Sequence, residues 1–372
     1  MIYLDSAATS LYKPETVQAA VIEAINTMAS PGRGAHEPAM RAAACCYDCR
    51  EKLARLFHVP NPEHVVFTFN ATHSLNIAIR SAVKPGDRVL ISGYEHNSVT
   101  RPLAALGARM TVIDTQLFDA PAFLERATRE IDAADAVVCT HVSNAFGYVL
   151  PIGELAALCR AYGKPLIIDA SQSAGTLELD FAALGAEFAA MPGHKGLLGP
   201  QGTGVLLCKN DASALLYGGS GSDSVSQSMP GYLPDRLEAG THNVAGIAGL
   251  SAGLDYLAER SCPEIRAHER ALLEQLYGEI SGLPGLRCFY APDAALQSSV
   301  LSVLPENMSC EAFAELLSAE GVAVRTGLHC APTAHRTVGT IETGTVRFSF
   351  SPFNTEAQIA RAAEICKKIM KN

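Results

Sequence analysis

Six short apolar runs, at 65–69, 88–92, 110–114, 136–142, 166–170 and 204–208, most limit what this chain can fold into. They are rich in Val, Ile, Leu and Phe and show little polar alternation, as strands buried on both faces do. Helical patterns lie between them. One is 152–162, which stops at Gly163, a residue suited to the left-handed turn after a helix. Apolar strands alternating with helices predict an α/β fold with a mostly parallel sheet. Beyond Cys262-Pro263 the texture changes. A helix at 265–280 precedes strands at 299–303 and 322–325, with a helix from Ser309 between them, then a strand at 345–350. Thr355 and Gln358 have capping-box spacing for a last helix, whose cationic end holds Lys367, Lys368 and Lys371. This C-terminal part reads as a smaller α+β domain.

The 372 residues are 48% apolar and 18% charged, enough for a large core and unlike a disordered chain. A net charge of -9 without a Lys/Arg run excludes a basic nucleic-acid footprint. MIYLDSAATS lacks the basic-then-apolar pattern of a secretory signal, and no run reaches the roughly 18 apolar residues of a membrane helix. A cytoplasmic protein is expected, with no membrane or nucleic-acid partner. The eleven cysteines are scattered, which is not a disulfide framework. Cys45, Cys46 and Cys49 cluster, but in a helical stretch with no second ligand pair, so packing is expected and no metal.

Several stretches carry chemistry. PLIIDASQSAG ends a buried strand in Asp169, at the edge where α/β proteins bind ligands. A buried carboxylate there wants a cation such as a protonated pyridine, although a turn cap fits equally. AAMPGHKGLLGPQGTGVLLC places Lys195 in an apolar, glycine-flanked setting. Desolvation there lowers a lysine's pKa and favours imine chemistry with a carbonyl cofactor. The stretch is neither a Walker loop nor a dinucleotide fingerprint. VVFTFNATHSLNIAI runs from a strand through Asn70, Ala71, Thr72 and His73 into a helix, a phosphate cradle or an ordinary cap. His96 and Asn144 each follow a strand and suit a flat heteroaromatic ligand, while a lone histidine there is more often a satisfied polar residue. In TVRFSFSPFNT, Arg347 points opposite Val346 and Phe348, as a carboxylate clamp or a surface ion pair would. Together these are the tasks of pyridoxal-phosphate chemistry on an amino acid.

In order, YLDSAAT, RGAH, ATHSLN, EHNS, SNAFG, DASQSAG, GHK, EAGTHN, RTGLHCAP and VRFSF resemble the class-V aminotransferase-fold enzymes, within them the cysteine desulfurase and selenocysteine lyase family. The resemblance implies fold type I, with a large cofactor-binding domain over 13–261 and a small α+β domain from 1–12 and 262–372. It implies that Lys195 forms the imine with pyridoxal phosphate, Asp169 pairs with the ring nitrogen, Gln172 bonds the ring hydroxyl and His96 stacks on the ring and moves protons. Ala71, Thr72, His73 and His194 would hold the phosphate, and Thr241 would reach the phosphate of a neighbouring subunit in a homodimer. Asn144 and Arg347 would hold the substrate carboxylate, with Arg33, His36, Ala8 and Arg325 also on the substrate side. Cys330 would be the nucleophile that takes sulfur from L-cysteine, or selenium from L-selenocysteine, releases alanine and passes its persulfide to an acceptor protein. A thiolate is needed, so positive charge is expected beside it, from Arg325, His329 or the His96 region.

RTGLHCAP matches the family group with a short, ordered cysteine segment. Two departures stand out. Pro192 occupies a position where many relatives have Ser, which implies one phosphate hydroxyl fewer. Segment 218–230 lacks the aromatic residues associated with a hairpin of that group. The alternative readings are a C–S β-lyase or aminotransferase on the same fold, and a non-catalytic sulfur or selenium carrier.

Overall fold

A computed structural model describes residues 1–32 and 34–371. Its centre is a seven-stranded sheet in the order Val65–Thr68, Gly204–Cys208, Phe188–Pro192, Leu166–Asp169, Ala136–Thr140, Arg88–Ser92 and Arg109–Ile113. All neighbours are parallel except at Gly204–Cys208, which runs antiparallel to both of its partners. Apolar clusters cover both faces, which explains why the strands read as continuous apolar runs. The runs at 65–69, 136–142 and 166–170 end as strands at Thr68, Thr140 and Asp169, where the chain turns out to form the ligand edge.

Phe188–Pro192 is a central strand that the apolar pattern did not single out. Its two alanines and terminal proline have poor strand propensity, yet all five residues are buried between paired neighbours. Proline is tolerated because it closes the strand.

Helices Glu15–Thr27 and Glu37–Leu56 pack on Val244–Arg260. That helix is separated by Ser261, at φ 64°, from Cys262–Ile280, which packs instead on Glu356–Lys371. The latter pair covers a four-stranded antiparallel sheet ordered Arg325–Gly327, Thr345–Ser349, Val300–Pro305 and Leu286–Phe289. The helix expected from 265 starts at Cys262, because Ser261 caps it by accepting from Glu264 N–H. The strand expected at 322–325 is divided. Val322–Ala323 pairs in parallel with Ile2–Tyr3, and Arg325–Gly327 joins Thr345–Ser349. The N-terminus is thereby tied to the small sheet. The capping box forms as its spacing predicts: Gln358 N–H donates to Thr355 Oγ1 (3.3 Å) and Thr355 N–H to Gln358 Oε1 (3.2 Å). Segment 218–230 contains no strand. Among the described residues no helix is long and apolar enough to cross a membrane.

Candidate active site

A cavity of about 210 Å³ lies at the carboxyl edge of the large sheet, with Arg325 and Arg347 of the small sheet also in its lining. Ala8, Ala71, Thr72, His96, Asn144, Asp169, Gln172, His194, Lys195, Arg325, Cys330 and Arg347 all line it, so residues from distant motifs meet at one place.

Asp169 is 2% exposed. Its Oδ1 accepts from Ser171 N–H (2.9 Å) and Ser171 Oγ–H (2.5 Å), while among the described residues no hydrogen bond reaches Oδ2. One carboxylate oxygen is thus anchored and the other is free for a cationic partner. Lys195 is half-buried in the turn after Phe188–Pro192. Burial lowers its pKa to about 8, against the pull of Asp169 and with help from Arg347 and Arg325. The turn fits closely against the loop from Asp169: Gly175, at φ +85°, would carry a Cβ 2.2 Å from Gly196 O. Gln172 donates from Nε2 to Ala7 O (3.0 Å).

His96 caps the helix Asn97–Leu106. Its Nδ1 accepts from Ser98 N–H (3.0 Å), which leaves the proton of the neutral ring on Nε2. Burial lowers its pKa to about 4, so the ring is neutral at pH 7. Asn70 caps the helix Ala71–Ala82 by accepting from His73 N–H (2.9 Å). His194 bonds Thr9 Oγ1 through Nδ1 (3.0 Å) and is lowered to about 4, chiefly by burial.

Arg347 is almost wholly buried. It donates to Asp5 Oδ1 (2.7 Å) and Asn144 O (2.9 Å), and its Nε–H has no partner. Of five guanidinium N–H groups, two are committed. Arg325 stands opposite Arg347 in the strand register and is exposed to the cavity.

The cysteine segment follows Arg325–Gly327. His329 and Cys330 both have left-handed backbone, φ 50° and 56°, a conformation that costs a side-chain-bearing residue on the order of 1–2 kcal/mol. It is held from three sides: Asn144 Nδ2 donates to His329 O (2.7 Å), Asn97 N–H donates to Cys330 O (2.8 Å), and His329 Nε2 meets Thr345 Oγ1 (3.1 Å). Of the eleven cysteines only Cys330 is exposed. Cys46 and Cys49 pack in the core; burial pushes the Cys46 thiol up to about 12 and raises that of Cys49 well above the ordinary thiol value.

Some expectations change. His73 does not face the cavity: its ring stacks on Phe69 at 4.8 Å, and its backbone N–H is taken by Asn70. His329 supplies no positive charge beside Cys330, because burial, Arg347 and other cationic neighbours drive its pKa well below the ordinary value. Thr241 and His36 lie outside this chain's cavity, Thr241 in a cleft with His73 and Glu238 and His36 exposed at a helix cap. Arg33 lies outside the described residues. Asp5 and Ser98 belong to the site's network without a local signal in the sequence; their partners reveal them.

The Aminotransferase class-V family model matches residues 2–361. The chain belongs to the class-V aminotransferase family. As such it is an enzyme of fold type I that uses pyridoxal phosphate, and the free Asp169 oxygen, the half-buried Lys195 and the helix N-termini fit that cofactor. A probable cysteine desulfurase of Methanothermobacter thermautotrophicus is 34% identical over 99% of this chain and 94% of its own length. One of Halalkalibacterium halodurans is 32% identical over 99% and 93%. The apo structure of a cysteine desulfurase from Thermococcus onnurineus superposes with a TM-score of 0.91 at 29% identity, over 100% of this chain and 94% of that one. An S-sulfonic acid form of the Escherichia coli enzyme gives 0.87 at 29% identity, over 99% and 94%.

Proposed function

We propose that this class-V family member is a pyridoxal-phosphate-dependent cysteine desulfurase that converts L-cysteine to L-alanine and leaves the sulfur on Cys330. The observation that carries the reading is that the one exposed thiol shares a cavity with the lysine whose pKa is lowered to about 8. L-Selenocysteine is a second substrate in this reading.

Asp169 would pair through its free oxygen with the ring nitrogen, Gln172 would bond the ring hydroxyl, and Ala71, Thr72 and His194 would hold the phosphate. Bound pyridoxal phosphate supplies the electron sink that acidifies the substrate Cα. Arg347 receives the substrate carboxylate on N–H groups not used by Asp5 and Asn144, with Arg325 beside it and Ala8 leaving room. Lys195 Nζ, deprotonated in a useful fraction at pH 7, takes the Cα proton and returns it. His96, with its proton on Nε2, would stack on the cofactor ring and move protons. The Cys330 thiolate attacks the substrate Sγ: a S–S bond forms, the Cβ–S bond breaks with its electron pair passing to carbon, and protonation there gives alanine. Arg325 supplies positive charge to the attacking thiolate. A sulfur-acceptor protein then takes the outer sulfur from the exposed Cys330. The working form is a cytoplasmic homodimer in which Thr241 reaches the phosphate of the neighbouring subunit, with the large domain over 13–261 and the small one from 1–12 and 262–372.

The test is alanine production from both amino acids, with reductant, by wild type and Cys330→Ala. We expect the variant to keep its visible cofactor band but lose cysteine turnover by roughly 100-fold, about 2.7 kcal/mol of barrier. Selenocysteine turnover should fall less, since selenium leaves more readily. Equal cysteine turnover in both proteins would remove Cys330 from the reaction and favour a C–S β-lyase.

A further inference from the structure

Two helices aim their N-termini into the cavity. Ala71–Ala82 enters with Thr72 and Asn97–Leu106 with Ser98, and the two hydroxyls are hydrogen-bonded, Thr72 Oγ1 to Ser98 Oγ, at 2.8 Å. Helix N-termini concentrate free N–H groups and partial positive charge. Here the facing first turns are joined to each other, and Ser98 Oγ also lies 2.9 Å from His96 Nδ1.

The cavity lining holds four hydroxyl groups, on Thr72, Ser98, Thr140 and Ser171. Thr140 donates to Val142 O (3.0 Å), and Ser171 to Asp169 Oδ1. Pro192, which also lines the cavity, has neither N–H nor hydroxyl. The hydroxyl protons not committed to a carbonyl or carboxylate are therefore those of Thr72 and Ser98.

We propose, building on the pyridoxal-phosphate reading, that Ser98 is a positioning residue that ties the phosphate cradle to the ring-facing histidine. Its backbone N–H fixes His96 with the proton on Nε2. Its hydroxyl carries one proton, which can serve one acceptor fully at a time. Without an anion, Thr72 donates to Ser98 and Ser98 to His96 Nδ1. With a phosphate in the cradle, Thr72 turns its proton to the anion. Ser98 then turns toward the anion or Thr72 and releases Nδ1. No bond breaks and no proton leaves its oxygen; only the hydroxyl orientations change. The phosphate is thus recognised by a unit that includes the His96 loop.

The experiment compares binding of pyridoxal phosphate with that of pyridoxal, which has the same ring and aldehyde but no phosphate. Dissociation constants are measured by equilibrium dialysis on the folded apoprotein of wild type, Ser98→Ala, Ser98→Thr and Thr72→Ala. Ser98→Ala should weaken pyridoxal phosphate about ten-fold, about 1.4 kcal/mol, and leave pyridoxal within about two-fold. Ser98→Thr, which restores a hydroxyl, should return to within about two-fold of wild type. Unchanged pyridoxal-phosphate affinity in Ser98→Ala, with a loss in Thr72→Ala, would overturn the role of Ser98 while the cofactor reading stands. Equal losses for both ligands in Ser98→Ala would also overturn it, since the defect would then not be in phosphate recognition. A folded wild type that does not prefer pyridoxal phosphate to pyridoxal would overturn the cofactor reading, and this proposal with it.

Discussion

The lowered pKa of Lys195 makes a rate prediction that can be worked through. An ordinary lysine at 10.5 is about 0.03% neutral at pH 7, and one at about 8 is about 9% neutral, a gain of about 300-fold in reactive amine. Imine formation by the apoprotein with pyridoxal phosphate should rise with pH and level off just above 8. The product is trapped with borohydride and read on the peptide containing Lys195, which excludes surface lysines. His96 and His194, each lowered to about 4, stay neutral through this range and add no second inflection. Burial lowers Lys195 and the Asp169 carboxylate opposes it, so Asp169→Asn should move the midpoint below 8. The sign for stability follows from the same shift. The unfolded chain keeps the proton up to about 10.5 and the folded apoprotein loses it near 8, so stability rises with pH across that interval, by on the order of 3 kcal/mol in total. A trapping rate that keeps rising tenfold per pH unit to pH 10, or a midpoint that climbs in Asp169→Asn, would refute the reasoning.

Two further perturbations probe the frame around the site. Gly175→Ala forces a left-handed alanine and a Cβ 2.2 Å from Gly196 O, so it should cost at least about 2 kcal/mol and loosen the Lys195 turn. Urea midpoints and cofactor retention measure the two effects, and an unchanged protein would mean that the two loops do not depend on their close approach. Glu95 is fully buried: its Oε1 accepts from Ser92 Oγ–H (2.5 Å) and Thr140 N–H (2.8 Å), and its Oε2 is unpartnered. Burial, assisted by Asp169, pushes it up to about 8 from 4.5, so the folded state holds a proton that the unfolded state releases. That contribution to stability is complete below about 4.5 and is lost as pH rises to about 8. Glu95→Gln should therefore flatten the difference between denaturation midpoints at about pH 5 and pH 8, and a difference as large as wild type's would assign the slope to another group.

What local pattern could and could not reveal divides along physical lines. Buried parallel strands must be apolar on both faces, so most of the large sheet was legible. Phe188–Pro192 was not, since its neighbours, rather than its own residues, make it a strand. The strand at 322–325 read as one because both halves are extended; only their different partners separate them. Lys195, Asp169, His96, Thr72, Asn144, Arg347 and Cys330 were legible because each sits where a strand or turn meets the ligand edge in a recognisable motif. His73 was misplaced because motif order does not say which way a first-turn side chain faces. Asp5 was invisible because its partner Arg347 is 342 positions away.

The charge at Cys330 is the most instructive case. A histidine beside a cysteine looks like a source of positive charge, but burial removes it. Arg325 and Arg347, opposite each other on adjacent strands, then become the cationic groups of this side of the cavity. Burial is the main force on Lys195 and on His329, and both arginines push each of them further toward neutrality. The pair proposed to receive the substrate carboxylate thus also keeps the imine lysine deprotonatable and the cysteine loop's histidine uncharged. A substrate carboxylate that neutralises this pair would weaken that push and raise the basicity of Lys195 when it has a Cα proton to remove.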